Sequence, residues 1–306
     1  MSFDTPMTLS GPLRKPRQML AEQEYGGHTS IHDDATAEKL GLRAGPIEGP
    51  THFSLFPPLL EQIWGQAWFE RGCISSHYLN MVVEGEAVRA FADVPPKGAR
   101  RTRVWAEKED GTPVLEASAS IGPDDGETLL EERMRALRPP ARLLILEDLR
   151  VGMTGARDEP VRMDAGQHMG ALYPFSLAQK LDAITETSAW YSDASASPWG
   201  RAIIPLEMVS VLAEYSSGAA RFPVKGPAVG LFADQEIRMV SGPLFVGEDY
   251  LIRREIVALS ESRRTESYWV RSRIYDAAGA VLKAVMLLNH ATLKDSYAGY
   301  LVPSAS

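Results

Sequence analysis

Residues 31–50 read IHDDATAEKLGLRAGPIEGP, and residues 52–69 read HFSLFPPLLEQIWGQAWF. Three signals follow one another here. Asp33 and Asp34 stand before the helix-favouring run Ala35-Thr36-Ala37-Glu38, which is the place of an N-cap. Gly45-Pro46-Ile47-Glu48-Gly49-Pro50 reads as a turn, since its glycines and prolines break regular structure. Beyond it Phe53, Phe56, Leu59, Leu60, Ile63 and Trp64 recur at helical spacing, so a helix over about 52–69 is expected under a sheet. Pro57 and Pro58 suit a helix start better than its middle, so the regular part begins near Pro57.

Four strand-like runs follow, at about 75–83, 86–94, 101–108 and 113–121. The last two flank Glu109-Asp110-Gly111, a hairpin signal. Upstream, residues 1–17 carry three prolines and read as an arm or lead-in strand. Downstream, the charged stretch 122–142 ends in Pro139-Pro140 and reads as a linker with a short helix. The expected division is therefore an N-terminal unit over 1–125, a linker over 126–142 and a C-terminal unit over 143–306.

The second half repeats the programme. A helix is expected at about 175–191, where Leu177, Leu181, Ile184 and Ala189 lie close to helical spacing. A loop at 192–200 leads to the turn Gly200-Arg201-Ala202-Ile203-Ile204-Pro205. A helix at about 205–219 and strands near 228–240, 249–259, 266–276 and 279–291 complete it. Val83-Glu84-Gly85-Glu86 parallels Val246-Gly247-Glu248, and the run ending at Gly111 parallels the run ending at Gly279, at offsets of 162 and 168 residues. Two matches in the same order, with a turn before each helix, point to a duplication. A helix wrapped by an antiparallel sheet, present twice with the sheets joined, is an α+β arrangement.

Composition narrows the chemistry. The chain has 306 residues, 44% apolar and 24% charged, ordinary for a globular protein of two domains or two repeats. A formal net charge of -8 disfavours nucleic acid as a partner. A single cysteine, Cys73, excludes an intramolecular disulfide and a thiolate metal cluster, and suits a reducing cytoplasm. No targeting segment, membrane span or lipidation signal is read, so a cytoplasmic location without membrane contact is expected. No G-x-G-x-x-G, P-loop or G-x-S-x-G occurs, so nucleotide-dependent and serine-hydrolase chemistry lack support.

The segment Ile31-His32-Asp33-Asp34-Ala35 through Gly45-Pro46-Ile47-Glu48-Gly49 resembles the MaoC-like double-hotdog hydratases, which include the (R)-specific enoyl-CoA hydratases and related acyl dehydratases. The resemblance covers nearly the whole chain and implies a double hotdog. His32 falls on the family's catalytic histidine and Asp34 on the acidic residue after it. The sequence departs from the pattern at the catalytic aspartate, where Gly27 stands, and at the Asn-Pro positions, held by His28 and Ser30. In the second half Trp190-Tyr191 stands in place of the histidine motif, and Glu186 lies five residues before Tyr191. The family also implies a homo-oligomer such as a dimer, with no metal and no cofactor.

Hydration of an enoyl thioester needs acid/base groups and a donor for the developing enolate. His32 is the first acid/base candidate, against a role bracing the following helix. Glu48, against a solvated turn acid, and His52 are the assisting groups. His28 is a further partner on the substrate side. The amides near Gly49 or Thr51 are the oxyanion donors, and Tyr78 on the first strand can reach the pocket. His28 and His32 have metal-ligand spacing only if helical, which Gly26-Gly27 opposes. Trp68, Trp190, Tyr191 and Trp199 belong either to an acyl tunnel or to the core. Arg100-Arg101-x-Arg103 and Arg263-Arg264 either bind carrier phosphates or are solvated. The expected activity is a hydro-lyase on an acyl thioester of coenzyme A or an acyl-carrier protein. A thioesterase or other lyase, with Glu61 as the acid inside the helix, and a non-catalytic acyl-binding subunit stay open.

Overall fold

The computed structural model describes residues 5–25, 28–123 and 127–301. The first half opens with β1 (Thr8–Ser10), a ribbon of β2 (Glu24–Tyr25) and β3 (His28–Thr29), and α1 (Asp34–Lys39). A 3-10 segment over Gly49–Leu55 then leads into α2 (Pro57–Trp64) and α3 (Ala67–Arg71). Strands β4 (Gly72–Tyr78), β5 (Val88–Asp93), β6 (Arg101–Lys108) and β7 (Pro113–Ile121) follow, and then α4 (Leu129–Arg135). The second half contains β8 (Glu159–Arg162), α5 (Leu177–Leu181), a 3-10 turn over Ala189–Tyr191, and α6 (Leu206–Glu214). After a second 3-10 turn over Ser217–Ala220 come β9 (Gly230–Met239), β10 (Asp249–Glu261), β11 (Thr265–Asp276), β12 (Leu282–Leu293) and α7 (Ala298–Leu301).

Ten strands make one antiparallel sheet in the order β1-β5-β6-β7-β4-β9-β12-β11-β10-β8. Each half supplies five, and the two fives mirror each other across the β4–β9 seam, where Ser75 pairs with Glu236 and Ser76 with Gln235. The duplication is visible at atomic detail. The Ile47 N–H donates to the Val82 carbonyl at 2.7 Å, and the Ile204 N–H donates to the Leu244 carbonyl at 2.8 Å. Gly85 and Gly247 both have positive φ, 88° and 76°, as do Gly111 and Gly279, 83° and 70°. These are the two pairs of turns matched in the sequence, and glycine adopts that backbone without the clash a Cβ would cause.

The central helix of the first half is not continuous over 52–69. Pro57 and Pro58 occupy the first two positions of α2, where a missing N–H costs nothing. Gly65 at φ 59° stops it, and α3 restarts in a new direction. The expected helix over 175–191 is also shortened. Ser176 and Gln179 form a capping box that starts α5, but Ile184, Thr185 and Thr187 are β-branched, and the segment leaves the helix after Leu181. Likewise α6 ends at Glu214, and Ser216-Ser217-Gly218 form a turn in place of its expected last part.

Phe53, Phe56, Leu59 and Leu60 from the first helical stretch share one core with Met208, Val209 and Leu212 of α6 and with the sheet. Alternation explains the sheet's side of it: Val88, Ala90 and Ala92 on β5, and Val104 and Ala106 on β6, point inward while their neighbours are more exposed. On the outer face α4 crosses the seam. Its N-terminus is closed by the Thr128–Glu131 capping box, and the Leu130 N–H donates to Ser75 Oγ at 3.0 Å. Arg133 Nε, His77 Nδ1 and Asn289 Nδ2 converge on the buried Asp234 carboxylate at 2.9, 2.7 and 2.7 Å, so side chains from α4, β4 and β12 lock the seam.

Candidate active site

The turn before the 3-10 segment is set by local hydrogen bonds. Asp33 caps α1 by accepting from the Thr36 N–H at 2.8 Å, and Asp34 Oδ1 accepts from the Gly45 N–H at 2.8 Å. A Cβ on Gly45 would lie 2.1 Å from the His32 carbonyl oxygen, so only glycine lets this turn close on His32. His32 Nδ1 then sits 2.6 Å from the Pro46 carbonyl oxygen. A carbonyl only accepts, so Nδ1 carries the hydrogen and Nε2 keeps the lone pair. Burial lowers the His32 pKa to about 4, outweighing the Pro46 hydrogen bond that raises it, so the ring is neutral near pH 7.

Behind this turn lies a cavity of about 620 Å³ lined by His32, Glu48, Gly49, His52 and Tyr78 together. Glu48 is buried, and Tyr173 OH donates to its Oε1 at 3.2 Å. Desolvation raises its pKa to about 7, against the pull of the nearby Lys180 charge and the Tyr173 hydrogen bond. His52 is buried with Nδ1 unpartnered among the described residues. Burial first, and then the charges of Lys180 and Lys108, lower its pKa to about 4.

Thr51 and Gly49 have different fates. The Thr51 N–H is spent on the Glu48 carbonyl at 3.1 Å, Thr51 Oγ1 accepts from Lys180 Nζ at 3.3 Å, and the side chain does not line the cavity. The Gly49 N–H, at the open start of the 3-10 segment, has no acceptor among the described residues. Gly49 serves a second purpose as well. A Cβ there would lie 2.5 Å from Tyr78 Cζ, so the bare glycine is what admits the tyrosine ring. Tyr78 stacks near Phe53 at 6.3 Å between centroids and donates its OH to Gln235 Oε1 at 3.0 Å. The side chain of His28, and Gly27 where the family aspartate would stand, lie outside the described residues.

The second half contributes to the same cavity. Glu214, at the end of α6, is 4% exposed, and its Oε1 has no partner among the described residues. Burial raises its pKa to about 7 against the opposing charge of Arg254 and a hydrogen bond from the Ser217 side chain. His290 on β12 stacks on Tyr268 at 4.7 Å and meets the edge of Phe232. Burial, reinforced by Arg254, lowers the His290 pKa to about 3. Its Nε2 is 3.7 Å from Glu214 Oε2, and a neutral ring at that range is neither an ion pair nor a hydrogen bond. Lys180 of α5 is buried too, and pairs with Glu207 Oε2 at 3.3 Å. Glu207 and Glu214 are seven residues apart on one helix, a spacing that places two acids on one face of an otherwise apolar stretch and could have flagged them.

Other expected residues lie elsewhere. Glu61 is exposed on α2 and does not line the cavity. Trp190 and Trp199 pack edge-on with Phe69 and each other, and Trp68 stacks on Trp64, so these indoles read as packing and not as a tunnel. Arg103 lies over the Trp105 ring, and neither arginine cluster borders the cavity. Leu79, Met81 and Val224, all partly solvent-exposed, and Lys225 form its rim. Among the described residues no three His, Cys, Asp or Glu side chains are grouped to hold a metal ion, and no helix is long and apolar enough to cross a membrane.

No protein-family model matches the sequence, and no curated protein matches it. Solved structures do. A protein described as a MaoC domain protein dehydratase from Chloroflexus aurantiacus J-10-fl superposes with a TM-score of 0.61 at 16% identity, covering 95% of this chain and 96% of that one. A Mycobacterium tuberculosis protein with a double hotdog fold gives 0.53 at 11%, covering 95% and 96%. This chain is a double hotdog. A third structure, described as a MaoC-like dehydratase, gives 0.52 at 12% identity over 94% and 97% of the two chains. At these identities the likeness establishes the fold, and the reaction is argued from the cavity of this double hotdog itself.

Proposed function

We propose that the chain is a hydro-lyase acting on an acyl thioester, adding water to a 2-enoyl thioester or removing it from the 3-hydroxyacyl product. One observation carries this reading: a neutral imidazole, a carboxyl that protonates near neutrality and an unclaimed helix-start N–H converge on one cavity. That is the set of groups the reaction needs. In the addition direction His32 Nε2 takes a proton from water as the water oxygen bonds to the β-carbon. The double-bond electrons move toward the thioester oxygen, where the Gly49 N–H holds the enolate charge. Protonated Glu48 gives its proton to the α-carbon. The proton on His32 returns to the Glu48 carboxylate through water, and the cycle closes. His52, neutral and in the same wall, orients the water. The thioester, on coenzyme A or an acyl-carrier protein, enters past Leu79, Met81 and Val224.

The test is a panel of short, branched, aromatic and polycyclic enoyl-CoA thioesters, with products identified by mass. A water adduct that disappears in His32→Ala supports the reading. Release of free thiol instead favours a thioesterase, for which the buried Glu214 at the end of α6 is a better carboxylate than the exposed Glu61. Binding with neither product leaves an acyl-binding subunit.

A further inference from the structure

Tyr173 has no part in the reaction above, yet its hydroxyl makes the one hydrogen bond that the Glu48 carboxyl receives among the described residues. The loop between β8 and α5 that carries it is fixed from both sides. Within the loop the Met169 N–H donates to the Phe175 carbonyl at 3.0 Å, the Phe175 N–H donates to the Tyr173 carbonyl at 2.7 Å, and Gly170 turns at φ 84°. From the first half Gln23 Nε2 donates to the Leu172 carbonyl at 2.7 Å, and the Glu24 N–H donates to the Ala171 carbonyl at 3.2 Å. Tyr173 is buried, and Phe175 meets its ring edge-on at 6.0 Å. Burial pushes the phenol well above its usual range, so near neutral pH the hydroxyl keeps its hydrogen and donates it. Lys180 differs: it acts on Glu48 as a charge, while its Nζ contacts Thr51 and Glu207.

We propose that Tyr173 is a positioning residue of the second half that occupies Glu48 Oε1 and so keeps the reacting proton on Oε2, the oxygen left free for the substrate. This rests on the thioester reading above. A protonated carboxyl has one carbonyl oxygen and one O–H. The Tyr173 hydroxyl donates to Oε1, so Oε1 is the carbonyl oxygen and Oε2 carries the hydrogen. When the Oε2–H bond breaks, its electron pair stays on Glu48 and its proton bonds to the α-carbon. Tyr173 keeps its own hydrogen throughout and stabilises the carboxylate as it forms, since a hydrogen bond to a charged acceptor is stronger than one to a neutral acceptor.

The experiment compares Tyr173→Phe with the wild-type chain on the enoyl-CoA that the wild type hydrates fastest. Phenylalanine keeps the ring and removes only the donor. The other titratable groups about Glu48 are Lys180 of α5, Glu207 and Glu214 of α6, His52 and Tyr78, and all of them stay in place. The expected result is a kcat lower by about ten- to a hundredfold with KM little changed. The alkaline limb of the rate profile moves upward, because the lost hydrogen bond had favoured ionised Glu48. The carboxylic C=O infrared band that Glu48→Gln removes moves to higher frequency in Tyr173→Phe, because its oxygen has lost a donor. If Tyr173→Phe does not fold, Gln23→Leu decides: it frees the Leu172 carbonyl, keeps the hydroxyl, and gives the same three changes in smaller measure. An unchanged kcat, alkaline limb or Glu48 band in the deciding variant overturns the inference and leaves the hydration standing. A wild-type chain that hydrates no thioester overturns both.

Discussion

Replacing Lys180 with methionine tests the link between the buried ion pair and the cavity. The Lys180 side chain is 5% exposed and that of Glu207 is 2%, with 3.3 Å between Nζ and Oε2. The same Nζ donates to Thr51 Oγ1 at 3.3 Å, so one ammonium joins α5, α6 and the 3-10 segment that carries the site. Methionine keeps the volume and leaves the buried Glu207 carboxyl without its cation, with the Ser54 side chain as its remaining partner. Breaking such a pair costs about 3–5 kcal/mol. At about 2.1 cal/mol/K of unfolding entropy per residue, that is a fall in Tm of roughly 5–8 °C for a chain this long. A second effect is electrostatic. The Lys180 charge pulls the Glu48 carboxyl down, so without it the Glu48 pKa rises further above its value of about 7. The proposed reaction needs Glu48 protonated, so the alkaline limb of the pH–rate profile moves upward in Lys180→Met. Urea unfolding and the pH dependence of kcat/KM measure the two effects separately. Adding Glu207→Gln to Lys180→Met removes the orphan charge and should restore most of the lost stability. A double variant no more stable than the single one, or an alkaline limb that stays in place, would refute the reasoning.

Three further outcomes are expected. The wild-type rate profile is bell-shaped, with an acid limb near pH 4 as His32 is protonated and an alkaline limb near pH 7 as Glu48 loses its proton; a profile flat between pH 5 and 9 removes Glu48 from the mechanism. Glu48→Gln lowers kcat by about a hundred- to ten-thousandfold. It also changes the pH dependence of stability. The folded Glu48 holds its proton where the unfolded carboxyl, near 4.5, has lost it, so stability falls as pH rises from about 4.5 through about 7. The penalty above pH 7 is about 3 kcal/mol at 1.36 kcal/mol per pKa step. Urea midpoints at pH 5 and pH 8 therefore lie closer together in Glu48→Gln than in wild type, with the other carboxyls that burial raises, Glu207, Glu214 and Glu236, contributing to the slope that remains. Gly49→Ala drives a Cβ into the Tyr78 ring and costs about 1–3 kcal/mol, and the same substitution on a Tyr78→Ala background costs little; equal penalties on both backgrounds would show that the ring is not what requires the glycine.

Parts of this arrangement are legible in the residues because their causes are local. The expected strands 101–108 and 113–121 coincide with β6 and β7, since alternation over both runs and an intervening Gly111 fix them without help from elsewhere. The turn 45–50 and its place before the helix are local in the same way. What depends on distant chain was not legible. Glu48 reads as an assisting acid or as a solvated turn acid, and only the approach of Tyr173 and Lys180, more than 120 residues away, shows that it is buried and why its proton is held. Lys180 sits in a short helix with no motif. Glu214 and His290 form a site wall only because the β4–β9 seam joins the two sheets around one cavity.

The duplication also explains why the two halves play unequal parts. The matched hydrogen bonds at Ile47 and Ile204 put Glu48 opposite Pro205 and Gly49 opposite Leu206. In the first half the helix start offers an acid, a bare N–H and the space for Tyr78. In the second, proline stands in place of the acid and leucine in place of the glycine. The second turn therefore cannot repeat the first turn's chemistry, whatever else surrounds it. The second half contributes from the opposite end of its helix, through Glu214, where the chain leaves α6 beside Ser217 and faces the shared cavity. One unit thus presents the start of its helix to the cavity and the other presents the end. A helix start supplies N–H donors suited to a developing negative charge, whereas a helix end supplies none. In the proposed reaction the unequal parts of the two halves follow from which end of each helix meets the cavity.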